Sequence, residues 1–516
     1  MVTTISKPDV TLQVIGAQDI SGVADQKILL IGQQTAAAVA SGTLVENVLS
    51  QDTDTLFGVR SHVAGMVRSV KRVLQGINPG PQVDVIPLDD AGGAVAATSV
   101  LTITGTNATE DGAIVLTVGS AQDHVFSVDV LSGDTPDDVV AAINALIGLD
   151  LTAPFTSGAV TNVLTVTASN LGTIANDWGI AVDGQVAGLT LVLTGWTGGT
   201  GTPVITTVFD PVADIRYQTV VWPESYTEVS VADFLDARFN VSNDVLDGVA
   251  IIHKSDTLSN LKAIALPLNS QSVNIMGNKP VSTSIYIAPA VFGIGDNMAA
   301  EIAAIRGARL TNNAPISAFV LASGSPADAF GGIGISSKPY HNTSLPFIAI
   351  PRVGLYFSRE DQDELNNNGV STFGANRSLT ETILSTQVTT YLTDGAGNPD
   401  TSFKFLNTVD QGSAVREFYF QNLKARYAQH RLTNGPLVPR RAMTNAASIR
   451  VFCSELYIAL ANEAITQSGQ AALQDYRETL SVIIDLAAGK VTIDQKPLLV
   501  SQLRVILGTI EINFGS

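Results

Sequence analysis

Five histidines and one cysteine are the side chains here with the widest chemical reach. Histidine can ligate a metal or move a proton near neutral pH, and a thiolate can attack carbon or bind zinc. Both uses need partners at set spacings. His62, His124, His253, His341 and His430 are scattered, and none stands at metal-ligand spacing from another histidine, a cysteine or a carboxylate. Cys453 is the single cysteine, so an intramolecular disulfide is excluded, and its place in an apolar stripe suits a small buried core residue. Neither a G-x-S-x-G elbow nor an H-E-x-x-H helix is present. Gly331-Gly332-Ile333-Gly334-Ile335-Ser336-Ser337-Lys338 has the outline of a phosphate loop. It lacks the glycine immediately before the lysine, and no long helical pattern follows, so it reads as a plain glycine-rich loop. Asp52 and Asp54 begin like a calcium loop, but Phe57 stands where the EF-hand needs glycine. Asp361, Asp363 and Glu364 suit the acidic first turn of a helix better than a metal cluster. No catalytic, metal or cofactor constellation is expected, and the reading is non-enzymatic.

Composition narrows the class further. The chain has 516 residues, 45% hydrophobic and only 15% charged, with 44 glycines. That length supports several domains, and the sparse charge suits a surface largely buried in an assembly. A net charge of -18 repels phosphate backbones, which argues against general nucleic-acid binding. The N-terminal MVTTISKPDV has no basic region followed by an apolar run, and no apolar stretch reaches bilayer-spanning length. Synthesis and folding in a cytoplasm, without membrane insertion, are expected.

The elements follow from periodicity. Ile28 to Ile31 reads as a buried strand closed by Gly32. Leu56 to Leu74 reads as one amphipathic helix, with Val59, Val63, Met66, Val67 and Val70 on its apolar face. Val83 to Ile86 is the next strand. Between Val73 and Ile215 there is no lysine or arginine, while acidic residues continue. Within that span Gly92 to Pro203 alternates β-prone runs with turns, around one helix capped at Asp134-Thr135-Pro136, and closes on the linker-like Gly195-Trp196-Thr197-Gly198-Gly199-Thr200-Gly201. It reads as a separable β-rich domain inserted into a core, with an acidic surface that discourages sticking. Strands at Thr219 to Trp222, Val249 to Ile252, Val273 to Met276, Ile285 to Ile287 and Phe319 to Leu321 then alternate with helices at Val231 to Phe239, Leu258 to Leu268 and Met298 to Leu310. That rhythm argues a mostly parallel sheet covered on both faces. Later helices are expected at Glu360 to Asn366, capped by Ser358 with Asp361, and at Val415 to Tyr427.

The last stretch begins as helix, with Thr444 as N-cap and Ile449, Phe452, Cys453, Leu456 and Leu460 on one face. Leu473, Tyr476, Leu480, Ile483 and Ile484 make a second helical stripe, stopped at Gly489. Ile510, Ile512 and Phe514 then alternate with Glu511 and Asn513, which is strand patterning. Val10, Leu12 and Val14 do the same near the other end. Such strands pair either within their own subunit or with a neighbour. Basic residues cluster late, at Arg416, Lys424, Arg426, Arg431, Arg440, Arg441 and Arg450. Taken alone, these are helix-surface charges paired with local acids.

In its order of parts the chain resembles the contractile bacteriophage tail sheath proteins of the Mu-like kind. The matching stretches are Gln26-Lys27-Ile28-Leu29-Leu30-Ile31-Gly32, the β-rich insertion from Gly92, Val388-Thr389-Thr390-Tyr391, Asp400-Thr401-Ser402-Phe403, the helix from Ala414 through Arg426, and the closing strand. The fold class expected is α/β: a multidomain chain with a mostly parallel α/β core, an inserted β-rich domain and extended N- and C-terminal strand arms. Its parts are an arm at 1–22, a core at 23–91 plus 204–343, the outward-facing insertion at 92–203, a tube-proximal α+β domain at 344–489 and a second arm at 490–516. The resemblance implies a helical homo-polymer around an inner tail tube, part of a virion tail and assembled in the host cytoplasm. It implies baseplate and tail terminator proteins as further partners. It also implies that Val10, Leu12, Val14, Ile510, Ile512 and Phe514 add strands to neighbouring subunits, and it sets Lys424, Arg426, Arg440 and Arg441 toward an acidic tube. A capsid- or adhesin-type structural protein, or an α/β enzyme, are the alternatives.

Overall fold

Six parallel strands form the centre of the computed structural model, which describes residues 26–35, 38–75, 77, 80–119, 124–239, 245–280, 283–285, 294–310, 340–348, 356–438, 441–462 and 465–500. In chain order, β1 (Lys27–Gln33), α1 (Thr53–Phe57), α2 (His62–Val73) and β2 (Gln82–Leu88) come first. Then follow β3 (Thr98–Gly105), β4 (Gly112–Val118), β5 (His124–Val130), α3 (Pro136–Leu149), β6 (Phe155–Val160), β7 (Val163–Ala168), β8 (Ile180–Asp183) and β9 (Leu189–Leu193). The chain returns through β10 (Thr219–Trp222), α4 (Glu228–Arg238), β11 (Val249–Ser255), α5 (Leu258–Leu268), β12 (Val273–Asn278), β13 (Thr283–Ile285) and α6 (Gly295–Leu310). Last come α7 (Arg359–Asn367), β14 (Val370–Ser371), α8 (Leu406–Tyr427), α9 (Ala446–Asn462) and α10 (Gln470–Thr479), then a hairpin of Ser481–Asp485 with Lys490–Asp494.

The central sheet runs β14-β12-β11-β10-β1-β2 with every neighbouring pair parallel. Successive side chains of a strand face opposite ways, and here both faces are buried. Ile28, Leu30, Val83, Val85, Val221 and Ile251 pack with α2 and α6. Leu29, Ile31, Ile86, Val220, Trp222 and Ile252 pack with α4 and α5. This is the α/β class read from the alternating elements, and continuous apolar strands are what a doubly covered parallel sheet requires.

Between β2 and β10 lies the β-rich insertion. It has two four-stranded sheets, β6-β7-β3-β9 and β13-β8-β4-β5, closed around an apolar cluster of its own that includes Phe155, Trp178 and Trp196. Its helix α3 begins with Pro136 behind a complete capping box of Thr135 and Asp138.

The structure departs from the sequence reading in four places. The helix expected over Leu56 to Leu74 is broken between α1 and α2: Gly58 has φ 87° and Arg60 has φ 65°, and Ser61 caps α2 by accepting the N–H of Ala64 at 3.2 Å. Val59, placed on the apolar face, is instead 46% exposed. The N-cap of α9 is Asn445, whose Oδ1 accepts the Ser448 N–H at 2.9 Å, because Thr444 is held in a short pairing of Met443–Thr444 with Arg431–Leu432. The stripe through Ile483 and Ile484 is strand, not helix. Helix α10 ends at Thr479, and Gly489, with φ 62°, turns a hairpin instead of stopping a helix. Finally, Ile285 to Ile287 was expected in the core sheet, but β13 pairs with β8 of the insertion, Ser284 opposite Ala181. The strand expected at Phe319 to Leu321 lies outside the described residues.

Candidate functional site

Several of the residues that could have carried chemistry are used for structure. Among the described residues, no group of three or more His, Cys, Asp or Glu is arranged to hold a metal ion. The Gly331–Lys338 run lies outside the described residues. Asp54 pairs with Arg68, Asp361 caps its own helix, and Glu364 pairs with Lys262. Cys453 is fully buried, and burial pushes its thiol up to about 11, which keeps it protonated. No helix among the described residues is long and apolar enough to cross a membrane.

Three histidines instead sit in carboxylate pairs around the seam between core and insertion, which no spacing in the sequence signals. His62 Nε2 lies 3.0 Å from Asp296, His253 Nδ1 lies 2.9 Å from Glu224, and His124 Nδ1 lies 2.7 Å from Asp150. Burial alone would lower the His253 imidazole. The charge of Glu224, its hydrogen bond, and the nearby Asp296 and Asp177 outweigh that and raise it. Burial of Asp150 is likewise outweighed by hydrogen bonds from His124 and Thr152, which hold its carboxyl well below the usual range.

The seam lies at the carboxyl end of the sheet, where β2 and β10 depart to opposite sides of β1. Open α/β sheets commonly hold a ligand in that crevice. Here the insertion fills it. Asn170 is fully buried, accepts the His62 N–H at 2.8 Å and donates to the carbonyl of Gln34 at 2.8 Å and to Asp90 at 3.1 Å. Arg60 reaches the carbonyls of Phe155 and, at 3.1 Å, of Ile147 in the last turn of α3, where a cation complements the helix dipole.

At the opposite end of the sheet, α8 is locked to the core by ion pairs. Arg306 pairs with Asp410, Arg216 with Glu417, and Arg416 with Asp247. The second half of α8 packs with α9 and α10 through Val415, Phe418, Tyr419, Ile449, Tyr457 and Tyr476. The hairpin Ser481–Asp494 rests on this cluster through Val482, Val491 and Ile493. Its sheet has two strands, and no third strand joins it among the described residues. Ile483 on its outer face is 64% exposed and Leu486 at its turn 50% exposed.

The basic residues divide. Arg416 is drawn into the core joint, and Arg426 pairs with Glu455 at 3.3 Å while covering the ring of Phe452 at 4.1 Å. Lys424 lies over Phe420, 5.4 Å from the ring centre. Lys424, Arg426 and Arg441 are exposed, whereas Arg440 lies outside the described residues. So do all six arm positions, Val10, Leu12, Val14, Ile510, Ile512 and Phe514.

No family model matches the chain. The chain is similar to a Mu-like prophage FluMu tail sheath protein of Haemophilus influenzae, 22% identical over 418 residues, which span 79% of this chain and 77% of that protein. Among solved structures, a sheath tail protein of Desulfitobacterium hafniense aligns over 93% of this chain and 97% of its own at 10% identity and a TM-score of 0.44. The sheath tail protein Lin1278 of Listeria innocua aligns over 93% and 92% at 12% identity and a TM-score of 0.44. The resemblance read from the order of parts and the resemblance found by alignment are to the same family.

Proposed function

We propose that this chain, a relative of the Mu-like tail sheath proteins, is a structural subunit of a phage tail sheath. It polymerises helically around an inner tail tube and contracts to drive that tube through the host envelope. The role is structural, with no chemical step. The observation that carries the reading is the two-stranded hairpin Ser481–Asp494, whose outer edges are unpaired among the described residues, in a chain with strand-patterned ends. A two-stranded sheet is marginal in water and gains most from added strands. Donated strands bring main-chain hydrogen bonds, and alternate side chains fill pockets. An arm of that kind stays paired while the bodies beside it re-pack. The core with its insertion, together with β14 in its sheet, then forms the outer body, and the rest of the region after residue 344 faces the tube. Baseplate and terminator proteins are the expected end partners, in a virion tail assembled in the host cytoplasm.

Deleting Thr509 to Ser516 tests this. Ile510, Ile512 and Phe514 would each contribute about 1.5–3 kcal/mol when buried in a neighbour. The truncated chain should fold, remain soluble and fail to form tubes by negative-stain microscopy. Normal tubes would remove strand donation by this end, and failure to fold would place the segment in its own subunit's core. Closed shells from the full chain would favour a capsid.

A further inference from the structure

The corner where the insertion meets α2 exposes apolar side chains around a cation. Leu149 and Leu151, at the end of α3, are 79% and 58% exposed, and Val59 and Val125 are 46% exposed each. Polar contacts bring the four together. Asp150, between the two leucines, pairs at 2.7 Å with His124, the neighbour of Val125. Arg60, the neighbour of Val59, donates to the carbonyls of Ile147 at 3.1 Å and Gly148 at 3.3 Å. Arg60 is held by main-chain carbonyls alone, and among the described residues no carboxylate answers its charge. Beside it lies an open cleft of about 120 Å³ whose walls include Arg68, Ser69, Arg72 and Thr152. Arg68 and Arg72 pair with one acid each, Asp54 and Glu301.

The other end of α3 is the complement. There Leu131 is 60% exposed between two carboxylates: Asp134 accepts its N–H at 2.8 Å, and Asp111 accepts the N–H of Ser132 at 2.8 Å. Glu110 and Asp137 are exposed beside them. Resting on the sheath reading above, we infer that this acidic tip of one copy's insertion seats on the corner of the next copy, Leu131 against Leu149, Leu151 and Val59, with the carboxylates toward Arg60. Two observations select a second copy as the occupant. Gly92 to Pro203 has no lysine or arginine, so insertions crowded in an assembly repel one another unless each acidic tip meets a cation from the core, and Arg60 is the cation at the seam. Tip and corner also cannot meet within one chain, because α3 runs from one to the other over 14 residues, about 21 Å. A contact between two different patches is head-to-tail. It repeats from copy to copy into a ring or an open helix instead of closing as a pair. It lies in the outer body, apart from the strand-patterned ends of the chain.

A cross-link in the full-length chain tests the contact. Leu131→Cys with Leu149→Cys places two thiols too far apart to join within one copy, since a disulfide needs Cβ atoms about 4 Å apart, and the native Cys453 is buried. On mild oxidation of assembled tubes, non-reducing gels should show a ladder of dimers, trimers and higher species. Leu131→Cys with Leu266→Cys, the second site exposed on α5, should give less than a tenth as much. Charge exchange at exposed positions gives an independent reading. Leu149→Glu with Leu151→Glu, and separately Glu110→Lys with Asp137→Lys, should each raise the concentration needed for polymer at low salt at least fivefold. All four changes together should return it to within twofold, and the differences should shrink at high salt. The melting temperature of the unassembled chain should stay close to wild type in each. Normal tubes without the ladder would overturn the contact and leave the sheath reading standing, whereas no tubes from the wild-type chain would overturn both. Loss of polymer from the corner variant but not from the tip variant would give the corner to another partner and overturn it as well.

Discussion

The side-chain oxygen of Asn170 accepts the backbone N–H of His62 at 2.8 Å, although 108 positions separate them. The same amide donates to Gln34 and Asp90, so one fully buried side chain joins β1, α2 and the segment after β2 to the insertion. Asn170→Ala leaves a buried donor and a buried acceptor without partners. Each such loss costs about 1–3 kcal/mol, and the melting temperature should fall by several degrees. A melting temperature within one degree of wild type would show that water replaces the amide.

The His253–Glu224 pair predicts a pH dependence. The His253 imidazole is raised above its ordinary value in the folded chain. Its contribution to stability is therefore complete below the unfolded value of about 6.5 and is lost as pH rises through the folded value. The urea midpoint of wild type should fall between pH 6 and pH 9 by more than that of His253→Gln. Parallel profiles for the two proteins would assign the pH dependence elsewhere.

Arg306 and Asp410 are 4% and 5% exposed and paired, with the Tyr340 hydroxyl donating to the other Asp410 oxygen at 2.6 Å. Asp410→Ala strands a buried guanidinium and should cost about 3–5 kcal/mol. Replacing both partners by apolar side chains, Arg306→Met with Asp410→Leu, should cost less than the single change. Chemical denaturation of the three proteins checks the order, and a double variant less stable than Asp410→Ala would contradict it.

For the tube contact, Arg440→Glu with Arg441→Glu, and separately Lys424→Glu with Arg426→Glu, should polymerise alone yet co-assemble poorly with tube protein. The deficit should widen as salt is lowered. Because Arg426 already answers Glu455 at 3.3 Å, its share should be the smaller. Unchanged tube binding by both pairs would leave these residues as ordinary surface charges.

Local signals carried much of the fold. Ile28 to Ile31 and Val249 to Ile252 are apolar without interruption, as doubly covered parallel strands must be, and Ser358 with Asp361 forms the capping box read from its spacing. What stayed hidden was non-local or ambiguous. Leu480, Ile483 and Ile484 fit a helical spacing, while Val482-Ile483-Ile484 is equally a β-branched run, and only the pairing with Lys490–Asp494 decides between them. The Asn170 joint and the three histidine pairs have no period at all, since their partners lie 26 to 234 positions away. Val451 and Ile458 stand seven positions apart, but only the packed helix shows that they face outward.

The strand β13 has a consequence for anyone wishing to exchange the insertion. It belongs to the sheet β13-β8-β4-β5, yet it is encoded some eighty residues past the glycine linker, and Ile294 after it sits in the same apolar cluster. A cassette cut at 92 and 203 would leave that strand behind and bare the main-chain groups of Ile180 to Val182. A foreign peptide is better grafted at the Val160-Thr161-Asn162 turn between β6 and β7. There Val160 is already 72% exposed, Thr161 turns at φ 49°, and every strand of both sheets keeps its neighbour.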